Sequence, residues 1–199
     1  MRKIFWILMG LLLTGCLQSS QGTQEQTLTI VNATVVDATV LEQARAFAQQ
    51  ELRVPVRVID NPQLAGLGDF QTLENAAVQA KQENDVAYIV VAELDGEEHL
   101  TVNADSGIAI INAKALYTDD TEVFTGRIRR MVMRAAAFSL GLPPTPDPFC
   151  VTRDYRSLQD LDRMGNNYSP PWQARFAEEA AKRGLQPPNP ADPQRLAAP

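Results

Sequence analysis

Few residues of this chain have side chains that could do chemistry at neutral pH. His99 is the only histidine among 199 residues, and Cys16 and Cys150 are the only cysteines. A catalytic zinc takes three protein ligands and a structural zinc takes four, and imidazole and thiolate groups are the usual ones. A three-histidine zinc site therefore cannot form. A Ser–His–Asp set could use only His99, which we expect to be a surface residue at the edge of a strand.

Carboxylates are more numerous, but their spacing favours structural roles. Asp160 and Asp162, with Arg163 beside them, lie in a segment that begins like a short helix, so we expect capping and surface charge pairing. Asp120 and Glu122 precede a long predicted helix, where negative charge complements the positive N-terminal end.

The elements that must position these residues follow an α/β order. The run at 86–94 is apolar almost throughout, which predicts a strand covered on both faces. Strands are predicted at 28–36, 54–59, 86–94, 99–102 and 107–111. Helices are predicted at about 38–53, 71–84 and 121–142, with two shorter ones beginning near 157 and 169. One face of the long helix is apolar at helical spacing, through Phe124, Ile128, Met131, Ala135, Phe138 and Leu142, and Gly141 marks its end.

The end of this helix and the segment after it resemble the active-site frame of the archaemetzincins, a family of zinc metallopeptidases. That frame reads H-E-x-x-H-x-x-G-x-x-H-C-x4-C-x-M. Gly141 and Cys150 keep their positions in it. The positions of the three histidines, the glutamate and the methionine hold, in that order, Arg134, Phe138, Pro144, Ala135 and Thr152.

The resemblance implies a metzincin-like α/β fold over 28–185. It would have a mixed twisted sheet, two or three packing helices and an irregular, partly helical C-terminal half. The family's cofactor is zinc, but arginine repels a cation and phenylalanine has no lone pair to donate. We therefore expect no metal and no catalytic residue here. Arg134 is expected to line the remnant cleft, and Phe138 either packs in the core or plugs that cleft.

The family's second zinc site would use four cysteines. The matching positions in this sequence hold Thr145, Cys150, Ser169 and Trp172. We expect apolar packing to hold the C-terminal half in place instead, through Phe149, Tyr155, Tyr168 and Trp172.

The N-terminus predicts export. In residues 1–15, Arg2 and Lys3 precede an apolar run that is too short to span a bilayer, as in a signal peptide. The end of that run and Cys16 resemble the lipobox of bacterial lipoproteins, which implies cleavage before Cys16 and acylation of it, with palmitate for example. An ordinary signal peptide with an incidental cysteine is the alternative. We expect residues 16–27 to form the anchor and a flexible tether, and the proline-rich residues 186–199 to form a disordered tail.

The net charge limits which partners we expect, and the residue after Cys16 indicates which membrane we expect. Loss of Arg2 and Lys3 moves the net charge from −6 to −8, which argues against nucleic acid. Leu17, rather than aspartate, after the cysteine favours the outer over the inner membrane if the source has both. Our hypothesis is a lipid-anchored, non-catalytic cell-envelope protein that binds a peptide or protein partner along a sheet edge. The alternative is a peptidase or other hydrolase that retains activity, with zinc or with an altered residue set.

Overall fold

The computed structural model describes residues 25–187. The predicted signal peptide, Cys16 and all but the inner ends of the predicted tether and tail lie outside this range. No helix between residues 25 and 187 is both long enough and apolar enough to cross a membrane.

Five strands form one mixed sheet in the order β2–β1–β3–β5–β4. They are β1 (Thr27–Ala33), β2 (Val56–Asp60), β3 (Asp85–Ala92), β4 (Leu100–Asn103) and β5 (Ile108–Asn112). All neighbouring strands are parallel except β4, which is antiparallel to β5. β3 is the central strand, and only Val86 of its eight residues is not fully buried, so the predicted double coverage is confirmed.

Helices cover both faces of the sheet. They are α1 (Ala38–Leu52), α2 (Phe70–Ala80), α3 (Ala113–Leu116), α4 (Thr121–Ser139), α5 (Leu158–Asp162) and α6 (Pro170–Lys182). α1, α4 and α6 share one apolar core with strand residues such as Ile30 and Ile89. α2 covers the other face, where Val31 and Val90 point, because side chains alternate along a strand. The predicted α/β class with a mixed sheet and packing helices is confirmed.

Three predicted boundaries are wrong by a few residues, for local reasons. β1 ends at Ala33 rather than at 36, because the Asn32 side chain accepts from the Thr34 N–H and the Thr34 hydroxyl accepts from the Val36 N–H, which bends the chain. α2 ends at Ala80 rather than at 84. α4 ends at Ser139 rather than at 142.

Both ends of α4 carry the capping groups that the sequence predicts. Asp120 accepts hydrogen bonds from the N–H groups of Glu122 and Val123. At the other end Gly141 adopts φ 83°, and the Leu142 N–H reaches back to the Ala137 carbonyl, which makes a Schellman-type ending. This turn sends the chain away from the sheet and into the irregular C-terminal half.

Candidate functional site

Arg134 lies buried where α4 meets the C-terminal half. Its residue surface is 6% exposed, and its Nη1 donates to the carbonyls of Val151 at 2.8 Å and Arg153 at 2.5 Å. Arg134, which was expected to line the remnant cleft, is enclosed by the protein. Long charged side chains are rarely buried unless they are paired, and here backbone carbonyls are the partners.

Two aromatic rings lie close to the Arg134 guanidinium. Its central carbon lies 5.1 Å from the centre of the Phe138 ring and 4.9 Å from that of Tyr155, both within cation–π range. Burial lowers the pKa of Arg134, while Tyr155 and Asp154 act in the opposite direction. Phe138 itself is half-buried and packs against the main core, in keeping with the expectation of core packing.

His99, the single histidine of the chain, contacts Tyr155, which is one of the two rings close to Arg134. His99 Nδ1 and the Tyr155 hydroxyl are 2.8 Å apart, and the two rings stack with their centres 5.7 Å apart. Burial, then the charge of Arg127, lowers the pKa of His99, and burial raises that of Tyr155. Both groups are therefore neutral at pH 7. His99 is half-buried.

The other positions of the frame are spread between core and surface. Ala135 is fully buried in the main core, as expected, and Pro144 is exposed. Thr152 is fully buried, and its hydroxyl lies 3.1 Å from the Cys150 sulfur. These side chains do not fit a zinc ion, because none at the histidine positions offers a lone pair. Across residues 25–187, no three histidine, cysteine, aspartate or glutamate side chains are grouped to hold a metal.

The residues at the four positions of the family's second zinc site lie close together in the structure. Cys150 is fully buried and its sulfur accepts from the Ser169 N–H at 3.3 Å, while the Thr145 N–H donates to Thr152. The Trp172 indole N–H donates to the carbonyl of Pro143. Hydrogen bonds as well as apolar contacts thus hold this region.

Packing of the C-terminal half partly follows the prediction. Tyr168 is buried and donates from its hydroxyl to the Met133 carbonyl at 2.6 Å, while Tyr155 and Trp172 are partly buried against the main core. Phe149 is 82% exposed, so the expectation that it packs inside is wrong.

Three arginines on one face of α4 attach the C-terminal half, and we call them the arginine clamp: Arg127, Arg130 and Arg134. Arg127 binds both carboxylate oxygens of Asp162, at 2.8 and 2.7 Å. Arg130 donates to the carbonyls of Asp162 and Met164. Spacings of three and four residues place the clamp on one side of the helix. The predicted charge-pairing role of Asp162 is confirmed, and so is that of Asp160, which pairs with Arg153.

An outer strand of the sheet lies against α4, the helix that carries Arg134. β4 is an outer strand of the sheet, contacts α4, and begins directly after His99. The Asn112 N–H donates to the His99 carbonyl, and bonded positions alternate along an antiparallel pair. The N–H groups of Leu100 and Val102 therefore face away from β5, where an added strand could accept them.

A groove of about 440 Å³ lies next to the buried arginine on the C-terminal side. It is lined by Pro144, Thr145, Pro146, Pro148, Arg153 and Asp154. The Arg153 carbonyl on this segment is one of the two acceptors of Arg134. The groove and the open edge of β4 thus both lie close to the clamp.

The fold of the described residues is the archaemetzincin fold. The chain is similar to archaemetzincin from Methanopyrus kandleri, with a TM-score of 0.65 and 14% identity over 81% of this chain and 99% of that one. It is also similar to a zinc-dependent peptidase from Methanocorpusculum labreanum (TM-score 0.59, 16% identity) and to archaemetzincin from Archaeoglobus fulgidus complexed with malonate (0.59, 15%). The last two comparisons each cover 75% of this chain and 99% of the other.

No protein-family model and no curated protein matches the sequence. At 14–16% identity the solved structures establish the fold alone. Chemistry must therefore be argued from this chain's own residues.

Proposed function

We propose that this protein is a lipid-anchored, non-catalytic member of the cell envelope that binds an extended peptide or protein segment. The observation that carries the proposal is Arg134, a buried cation fixed in the zinc-ligand frame on α4, the helix against which the outer strand β4 lies. A guanidinium stays protonated and cannot coordinate a metal. The side chain that would hold a catalytic ion in the family here holds the C-terminal half in place.

The free edge of β4 supports a peptide as the ligand. Extended peptides bind open sheet edges through main-chain hydrogen bonds, with neighbouring pockets giving specificity. Leu100 and Val102 present their N–H groups at this edge, and the groove beside Pro144 offers a place for a side chain. All four β4 residues are half-buried, as expected of a strand that a bound peptide would cover in part.

Blocking the edge should abolish this binding. Eight-residue peptides selected from a displayed library would be titrated against the purified protein and its Val102→Pro variant. Proline removes an N–H that faces away from β5, so the sheet is retained while a main-chain hydrogen bond to the peptide is lost. We expect a loss of affinity of about tenfold or more.

Val102→Ala is the matched control, since it trims the side chain and keeps the N–H. It should bind the same peptides within about threefold. Methylation of alternate peptide nitrogens should reproduce the proline effect on the unchanged protein. Equal binding by the proline variant and by methylated peptides would rule out strand addition at β4.

The anchor is proposed from Cys16 and the apolar run before it, which lie outside the described residues. Cys16→Ser should leave an unprocessed precursor or a species without lipid, because serine has no thiol to acylate. Mass spectrometry of the membrane fraction and metabolic labelling with palmitate measure this. Normal processing and labelling of the variant would contradict the anchor, and fractionation of the unchanged protein tests the outer-membrane location.

A residual hydrolase is the second candidate, and the His99–Tyr155 pair favours it. A neutral imidazole nitrogen 2.8 Å from a phenol hydroxyl, with a guanidinium over the phenol ring, could take and return a proton. Casein cleavage by the purified protein, lost in His99→Ala, would establish this candidate and overturn the non-catalytic proposal. Cleavage that chelators abolish would point instead to a metal.

A further inference from the structure

A second cavity lies on the opposite side of the clamp, between α1 and the first half of α4. Its volume is about 580 Å³, which is within the range of small-ligand sites. Its polar lining includes Gln43, Thr125, Arg129, Arg130, Asp162 and Asn166. The groove beside Pro144 shares none of these residues.

Arg129 presents an unused donor to this cavity. Its guanidinium carbon lies 4.9 Å from the centre of the Phe47 ring on α1, within cation–π range. Its Nε is buried and has no hydrogen-bond partner within residues 25–187. A flat guanidinium with a free edge binds a carboxylate through two parallel hydrogen bonds.

The cavity lining carries two arginines, Arg129 and Arg130, and two carboxylates, those of Glu122 and Asp162. The carboxylate of Asp162 is already taken on both oxygens by Arg127. Arg130 is fixed by two backbone carbonyls, which carry no net charge. Burial lowers the pKa of Arg130, the charge of Asp162 raises it, and the charges of Arg129 and Arg127 lower it further. With Asp162 paired to Arg127, the two arginines of the lining outnumber its remaining carboxylate, that of Glu122.

Asn166 supplies an unused hydrogen-bond acceptor, which complements the unused donor of Arg129. Its Oδ1 is buried and accepts no hydrogen bond within the described range. A ligand that satisfies the cavity must therefore offer an anion to Arg129 and a donor to Asn166. Buried polar atoms left unpaired are costly, so a ligand that pairs both gains from each.

We propose that this cavity binds a carboxylate that has an N–H donor beside it, as at the C-terminus of a peptide. A free amino acid shares this chemistry. The carboxylate lies on the free edge of Arg129 near Arg130, and the adjacent N–H donates to Asn166 Oδ1. The site is independent of the β4 edge.

Calorimetric titration of the purified full chain tests the proposal with four probes. They are N-acetyl-alanyl-alanine, its C-terminal amide, free alanine and sodium phosphate. We expect the acid to bind with a dissociation constant of about 1 mM or lower, and the amide, which lacks the charge, to bind at least about tenfold more weakly. Comparable binding of free alanine would support the shared chemistry and assign the ligand as an amino acid.

Two variants locate the site. Arg129→Gln and Asn166→Asp should each weaken binding of the acid at least about tenfold, the first by removing the cation and the second by adding a repelling carboxylate. Arg175→Gln is the matched control, because Arg175 also lies 4.9 Å over an aromatic ring, that of Trp172, away from this cavity. The proposal would be overturned if Arg129→Gln and the unchanged chain bound the acid with equal affinity. It would also be overturned if no probe bound at a concentration 10-fold above the expected dissociation constant, or if phosphate alone bound.

Discussion

Replacing Arg134 by alanine is expected to lower the free energy of unfolding by about 2–4 kcal/mol. The change leaves the carbonyls of Val151 and Arg153 without their donor, at roughly 1–3 kcal/mol for each buried group. It also removes two cation–π contacts. Relief from the cost of burying a cation offsets part of this loss.

Urea unfolding at pH 7 measures the effect, and two variants calibrate it. Phe138→Ala should cost about 1–2 kcal/mol, less than a fully buried ring would, because this ring is half-buried. Arg175→Ala, an exposed ring-stacked arginine, should change stability by about 0.5 kcal/mol or less. A loss below about 1 kcal/mol for Arg134→Ala would mean that the clamp does not depend on this residue.

Replacing Asp162 by asparagine is expected to cost about 2–3 kcal/mol at pH 7. It removes the carboxylate that Arg127 holds through two hydrogen bonds and leaves a guanidinium that is 10% exposed without its counter-ion. Breaking a fully buried ion pair costs roughly 3–5 kcal/mol, and exposed pairs contribute about 1 or less. With Asp162 28% exposed, an intermediate value applies.

The effect of Asp162→Asn should depend on pH in a defined direction. The hydrogen bond from Arg127 is the main cause that lowers the pKa of Asp162 below the ordinary 3.8; burial opposes it, and the charges of Arg127 and Arg130 add to the lowering. The ion pair therefore stabilises the fold above about pH 3.8, and this stability is lost as pH falls through the lowered pKa. Urea unfolding at pH 7, 4 and 3 should show the difference between the unchanged protein and Asp162→Asn narrowing at the acid end.

An exposed ion pair of the same length provides the control for this prediction. Asp95 and Lys114 are 2.7 Å apart, as Asp162 and Arg127 are, but both side chains are more than half exposed. Asp95→Asn should leave the unfolding midpoint nearly unchanged at pH 7, because solvent screens such pairs. Equal losses for Asp95→Asn and Asp162→Asn would show that burial plays no part.

Much of the fold could be predicted from the sequence because its signals are local. The apolar run of β3 required cover on both faces, and Asp120 and Gly141 marked the ends of α4 through backbone groups only a few residues away. The resemblance in the frame around Gly141 led to the same fold as the solved structures.

The candidate site could not be predicted in this way, because its contacts span long sequence separations. His99 meets Tyr155 across 56 residues, and no periodicity in either segment encodes that contact. Arg134 was expected near solvent since arginine is usually exposed, yet carbonyls 17 and 19 residues away are its partners. The one available signal was the repeat of arginine at 127, 130 and 134, which puts three cations on one helix face.

The arginine clamp also determines how the C-terminal half detaches from α4 by local unfolding. Its attachments to residues 150–164 are gathered on a few turns of α4, and α5 is too short to be stable by itself. A segment held in this manner opens as one cooperative unit, with a free energy below that of global unfolding. Amide hydrogens from Val151 to Met164 should then exchange with solvent together and ahead of those in β3, so the interior beneath the frame is reached through a single opening of the chain.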